Sequence, residues 1–154
     1  MAKVKKLNEL KKILNRLKKE GKKIVFTNGC FDILHPGHIK VIKEAKSKGD
    51  ILVVGINSDS SVRKIKGPQR PILDERARAK VVSALEDVDF VIIFKQSTPL
   101  NLIKAIKPHY LVKGSDWEKK NIVGRDLVKK VFTVKILKGY STTEIVNRIK
   151  ESVN

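Results

Sequence analysis

Apolar side chains at Leu7, Leu10, Ile13, Leu14 and Leu17, separated by lysines, form a stripe at helical spacing and predict an amphipathic helix over residues 6–20. Gly21 stops it, and the leader Met1–Lys6 is expected to fray. The period then changes. Lys23–Phe26 is a short β-branched run that reads as a first strand, and Ile39, Ile42 and Ala45 return to helical spacing until Gly49. Ile51–Ile56 is continuously apolar, as expected of a strand buried on both faces, and Asn57–Ser60 marks a loop at its carboxyl end. Residues 61–73, with Lys64, Lys66, Arg70 and prolines at 68 and 71, read as a basic loop without regular structure. Asp74 is placed to cap a helix over 75–86, and Phe90–Phe94 is a third strand. Thr98-Pro99 opens a helix that stops before Pro108, and Tyr110–Val112 is a fourth strand leading into a loop, Lys113–Asp116. Residues 124–130 predict a short helix, Val131–Leu137 a fifth strand and Thr142–Glu151 the last helix.

Strands that alternate with helices imply right-handed β-α-β units. The expected fold is α/β: a doubly wound, five-stranded parallel sheet in one domain, residues 22–154, with the helix of residues 1–21 packed on it. A membrane-surface role for that basic helix is disfavoured by its lack of an aromatic anchor. Ligands of such sheets bind beyond the carboxyl ends of the strands. The polar clusters Asn28–His38, Asn57–Asp59, Lys113–Asp116 and Gly139–Thr143 all fall there.

Composition narrows the function classes. A chain of 154 residues with 34 Lys and Arg against 16 Asp and Glu carries a formal charge of +18, which ordinarily points to nucleic acid. The lysines, however, are spread over every predicted helix, and aromatics make up only 5%, leaving few stacking platforms. A solvated surface that steers anionic substrates is expected, with no nucleic acid and no membrane as partner. There is no apolar run long enough to cross a bilayer and no secretory h-region, so a cytoplasmic setting is expected. The single cysteine, Cys30, excludes an internal disulfide and a thiolate zinc site.

The chemistry concentrates in Thr27-Asn28-Gly29-Cys30-Phe31-Asp32-Ile33-Leu34-His35-Pro36-Gly37-His38, a strand end that turns into a helix. Pro36 suits the first helical position, and Gly37 is expected to let an anion approach the backbone amides. His35 and His38, three residues apart, can place both rings on one side of the helix start. Asp32 is one turn ahead and could equally cap that helix, while Asp59 is open between an ordinary turn residue and a substrate contact. Arg78 continues the stripe of Val81, Val82 and Leu85, so a charge faces inward and needs an anionic partner; Arg76 is about 200° away at about 100° per residue. Ser141 with Glu144 three residues later is a capping box, and hydroxyls at a helix start also suit phosphate.

The string T-N-G-C-F-D-x-L-H-x-G-H resembles the H-x-G-H nucleotidyltransferase superfamily, of Rossmann-like fold, and within it the adenylyltransferase branch of ADP-heptose synthesis. The resemblance implies that His35 and His38 donate to the phosphates of ATP together with Lys66, on a mobile lysine loop, and Arg78. It implies that Asn28, Cys30, Phe31, Asp32, Gly37, Lys113, Gly114, Asp116, Ser141, Thr142 and Thr143 bind the nucleotide, with Asp59 on the substrate side. Ser115 stands where the branch usually has Gly, and Trp117 where Tyr is common. Mg²⁺ is expected through the ATP phosphates, with Asp32 as its nearest protein group. The implied acceptor is a sugar 1-phosphate, made by a separate sugar kinase, and a homodimer is plausible for the family. Glycerol-3-phosphate cytidylyltransferases and flavin-adenylating enzymes share the His-x-Gly-His pattern and are the alternatives; Asn28-Gly29-Cys30 favours the heptose branch.

Overall fold

The computed structural model describes residues 2–115 and 118–154. Five parallel strands, β1 (Ile24–Gly29), β2 (Ile51–Asn57), β3 (Phe90–Phe94), β4 (Tyr110–Gly114) and β5 (Lys130–Val134), form one sheet in the order β3-β2-β1-β4-β5. The chain therefore winds outward from β1 to β3, then crosses back over β1 to lay down β4 and β5. The reversal lies between β1 and β4, where Thr27 Oγ1 donates to the Val112 carbonyl at 2.8 Å across the buried seam.

Alternate side chains of each inner strand feed opposite layers. Val25, Leu52, Val54 and Ile56 pack with Ile42 and Ala45 of α2 (Pro36–Lys46) and with Ala79 and Val82 of α4 (Glu75–Ser83). Ile24, Phe26 and Val53 pack on the other face with Leu10 and Leu14 of α1 (Leu7–Lys19) and with Leu102, Ile103 and Ile106 of α5 (Leu100–Ile106). The last helix is α6 (Thr142–Ser152). The α/β architecture and parallel sheet expected from the apolar runs are thus present, and β3 has the predicted bounds.

Several local expectations are corrected. The leader does not fray. Val4 bridges Val91 in parallel, Val91 N–H donates to the Lys3 carbonyl (3.0 Å) and Lys5 N–H to the Val91 carbonyl (2.9 Å), because edge strand β3 offers backbone groups that need partners. Residues 59–66, read as loop, are a helix, α3 (Asp59–Lys66), capped by Ser58, whose hydroxyl accepts from Ser61 N–H. The irregular segment is only 67–74, beginning at Gly67, whose φ of +101° suits glycine. The helix expected to 86 ends at Ser83, and Val81 is 45% exposed, so the buried face of α4 is Arg78, Ala79 and Val82. Lys113 and Gly114 are not loop but the end of β4, paired with Thr133 and Val134. The helix expected over 124–130 is replaced by two 3₁₀ turns, Lys119–Asn121 and Arg125–Leu127, separated by the left-handed Gly124 (φ +84°). Strand β5 ends at Val134, where its partner β4 also ends.

Candidate active site

A cavity of about 480 Å³ opens beyond the carboxyl ends of β1 and β4, at the winding reversal, a size suited to a small ligand. Its floor is Asn28–Asp32; Asn57 lies on the β2 side and Lys113 on the β4 side; Lys66, Arg70, His38 and Thr142 also line it; Ile65, Pro99, Ile122 and Val123 supply apolar surface. Ser97 and Thr98, from the segment after β3, also line it. The sequence reading missed this segment and Arg70, whereas Asn57 belongs to a polar cluster it placed at this edge.

The turn after β1 is built around the imidazoles. His35 is the N-cap of α2, and its Nδ1 accepts from Gly37 N–H at 3.1 Å. A neutral His35 with Nδ1 accepting carries its proton on Nε2. A Cβ on Gly37 would fall 2.8 Å from His35 Cε1, so glycine here admits the ring rather than an anion, and its amide is already used. That corrects the expected role of Gly37. The His35 and His38 rings stack with centroids 3.8 Å apart, but only His38 reaches the cavity; His35 stands behind it in a shallow pocket with Leu34, Pro36 and Ile39. Phe31, at a positive φ of 49°, turns its ring inward to lie 5.2 Å from that of His38. A bulky residue in this region stores roughly 1–3 kcal/mol of strain, as found where geometry serves a site.

Electrostatics keep the pair neutral. Burial, then the neighbouring His35 and Lys66, push the His38 pKa down to about 4. Burial also lowers that of His35, against the opposing pull of Glu144. His38 Nδ1 and Asn28 Oδ1 are buried without a hydrogen-bond partner among the described residues, a condition that a polar ligand would relieve. Cys30 lines the floor with its thiol pKa raised, chiefly by burial, so it is a poor nucleophile.

Asp32 caps no helix. Its two oxygens accept from Ile72 N–H (2.8 Å) and Leu73 N–H (2.9 Å), fastening the 67–74 segment to the floor. Among the described residues no group of three or more His, Cys, Asp or Glu could hold a metal ion. With both Asp32 oxygens engaged by amides, the described side chains do not fit a resident metal site there.

Arg78 is wholly buried, as its helical phase required, yet its guanidinium does not line the cavity. Nε donates to the Leu73 carbonyl (2.9 Å), Nη1 to the Cys30 carbonyl (2.6 Å) and Nη2 to Asp59 Oδ1 (2.8 Å). The anionic partner is Asp59, not phosphate. Asp59 accordingly faces a separate groove with Arg63, Glu75 and Lys80. Ser141 acts as the cap, accepting from Glu144 N–H at 3.0 Å; Thr143 Oγ1 accepts from Arg70 Nη2 at 3.3 Å; Thr142 alone of the three reaches the cavity. Gly114 is the last residue of β4, and Asp116 and Trp117 lie outside the described residues.

The cytidylyltransferase-like family model matches residues 26–148. The bifunctional protein HldE of Aliarcobacter butzleri is 52% identical over 97% of this chain and 31% of its own length. That of Campylobacter concisus is 53% identical over 99% and 32%. The chain thus spans about a third of the length of the curated relatives it matches. A lipopolysaccharide core biosynthesis protein of Thermoplasma volcanium, solved as a crystal structure, is 31% identical with a TM-score of 0.67, covering 77% of this chain and 100% of its own. Pantoate-beta-alanine ligase of Francisella tularensis, 20% identical with a TM-score of 0.60 over 98% and 78%, shares the fold alone. Among the described residues no helix is long and apolar enough to cross a membrane.

Proposed function

This chain belongs to the cytidylyltransferase-like family of nucleotidyltransferases, and from that premise we propose that it transfers AMP from ATP to D-glycero-β-D-manno-heptose 1-phosphate, giving ADP-heptose and pyrophosphate in the cytoplasm. The observation that carries the reading is the convergence of His38, Lys66, Arg70 and Thr142 on one cavity whose floor is the Asn28–Asp32 string. The T-N-G-C-F-D-x-L-H-x-G-H resemblance and the likeness to bifunctional HldE proteins and to a lipopolysaccharide core biosynthesis protein support a heptose acceptor.

The acceptor phosphate is anionic at neutral pH and attacks the α-phosphorus directly, so no general base or covalent intermediate is required. The barrier then depends on in-line alignment and on donors aimed at the equatorial and leaving oxygens. A neutral imidazole presents one N–H without repelling a cation nearby, which lets His38 and Lys66 share one phosphate chain. His35, stacked behind, holds the His38 ring in place. The apolar wall of Pro99, Ile122 and Val123, with Asn28 and Cys30, offers a surface for the base. Mg²⁺ bound to the triphosphate would neutralise part of its charge, with Asp32 the nearest carboxylate among the described lining residues. A sugar kinase must supply the acceptor. The test incubates the protein with Mg²⁺, each of the four nucleoside triphosphates and a panel of phosphorylated acceptors, following pyrophosphate release. Turnover with ATP and heptose 1-phosphate is expected; turnover only with CTP and glycerol 3-phosphate, or with none, overturns the proposal.

A further inference from the structure

We propose that Arg70 is a further cationic residue of the site, beside Lys66 and Lys113, one that leaves Thr143 to grip the departing pyrophosphate. The inference rests on the nucleotidyl-transfer reading above and deepens it. Arg70 lines the same cavity as Lys66 and His38. Asp32 is the one carboxylate among the described lining residues, and the amides of Ile72 and Leu73 already occupy both its oxygens. Among the described lining residues Lys66 and Arg70 are therefore opposed by no unengaged carboxylate.

The segment carrying Arg70 is anchored by side chains at its far end. Asp32 holds Ile72 and Leu73 to the floor, and Arg78 holds the Leu73 carbonyl. Gly67 ends α3 immediately after Lys66, at a φ of +101°. Between these points, Arg70 is tied by its own N–H to the Gly67 carbonyl (3.2 Å) and by Nη2 to Thr143 Oγ1, an exposed contact at 3.3 Å. A guanidinium exchanging one long neutral contact for phosphate oxygens makes bonds roughly twice as strong, and its fork can hold two oxygens at once. Thr143 lies in the first turn of α6, so Arg70 already waits beside Thr142 on the cavity wall.

In the transfer the acceptor oxygen forms its bond to the α-phosphorus while the bond to the bridging oxygen breaks. That oxygen keeps the bonding pair and departs with pyrophosphate, and no proton need move. New charge thus appears on the leaving group, where Lys66 and Arg70 stand, rather than on the acceptor.

Arg70→Gln and Arg70→Lys discriminate, with inorganic pyrophosphate as the probe in equilibrium titration and steady-state kinetics as the second readout. For Arg70→Gln the pyrophosphate affinity is expected to fall about 10- to 100-fold, the effect of losing one charged hydrogen bond, and kcat by about 10², with the acceptor KM unchanged. Arg70→Lys should recover part of the affinity, since charge remains but the fork is lost. Pyrophosphate binding within twofold of wild type in Arg70→Gln, or a rise confined to the acceptor KM, overturns the assignment of Arg70 while leaving the nucleotidyltransferase reading intact. Wild-type protein that binds neither ATP nor pyrophosphate overturns that reading itself.

Discussion

Replacing Arg78 by methionine should unfold the protein more readily without directly removing a ligand contact. The substitution keeps an unbranched apolar stem in a site that is 0% exposed but deletes the donors to the Leu73 and Cys30 carbonyls and to Asp59. The two carbonyl bonds are part-buried, so each orphaned oxygen costs about 1 kcal/mol, the low end for a lost partner. Asp59, 28% exposed, can recruit water and adds about 1 kcal/mol more. The total, about 3 kcal/mol, corresponds to a fall in Tm of roughly 10 °C at about 2–4 °C per kcal/mol for a chain of this size. Thermal unfolding of ligand-free protein at pH 7 measures it. Combined with Asp59→Ala, the pair should couple by about 1 kcal/mol or more in a double-mutant cycle, because the two side chains share one bond. A Tm within 2–3 °C of wild type, accompanied by a steep loss of ATP affinity, would show that Arg78 grips phosphate, and the tie read from its three bonds would be wrong.

Other expectations follow from the same contacts. His38→Ala should stay folded and lose about 10²- to 10³-fold in kcat; wild-type turnover at saturating substrate sinks its assignment. Because His38 is depressed from 6.5 to about 4 in the native state, the folded protein resists its protonation. The stability it contributes is present above pH 6.5 and is lost as pH falls toward 4, by about 3 kcal/mol at about 1.4 kcal/mol per pH unit. Urea denaturation at pH 7 and pH 4 should therefore show a smaller acid loss for His38→Gln than for wild type, and the His38 ring resonance should titrate near 4, moving upward on addition of ATP; a midpoint near 6.5 contradicts the burial argument. Asp32→Asn should speed amide exchange at Ile72 and Leu73, since an amide side chain can no longer accept from both; unchanged protection refutes the anchor. Mg²⁺ added without nucleotide should leave Tm unmoved, and a rise of several degrees would reveal a protein-held ion.

Strand positions could be read from the sequence because runs such as Ile51–Ile56 are apolar on both faces, which only a covered parallel sheet accommodates. Helix α3 could not, since its buried residues are only Ser61 and Val62, too short a stripe to outweigh the prolines that follow. The leader docks through backbone bonds of Lys3 and Lys5, which leave no mark in side-chain pattern. The inward phase of Arg78 was readable from its spacing to Val82 and Leu85, but its partner was not, because Asp59 sits 19 residues away and reaches it only once α3 and α4 fold. The cavity walls contributed by Arg70 and Ser97–Pro99 come from short irregular segments with no periodicity, so nothing in their order singled them out.

The pairing of Val4 with Val91 runs parallel to β3 and meets that strand near its start. Whatever is joined ahead of Ala2 consequently leaves from the rear rim of the sheet, remote from the ends of the strands where catalysis is proposed. An affinity tag or a second enzyme fused at that terminus would have room to fold, and traffic of nucleotide and sugar through the mouth would go on unobstructed.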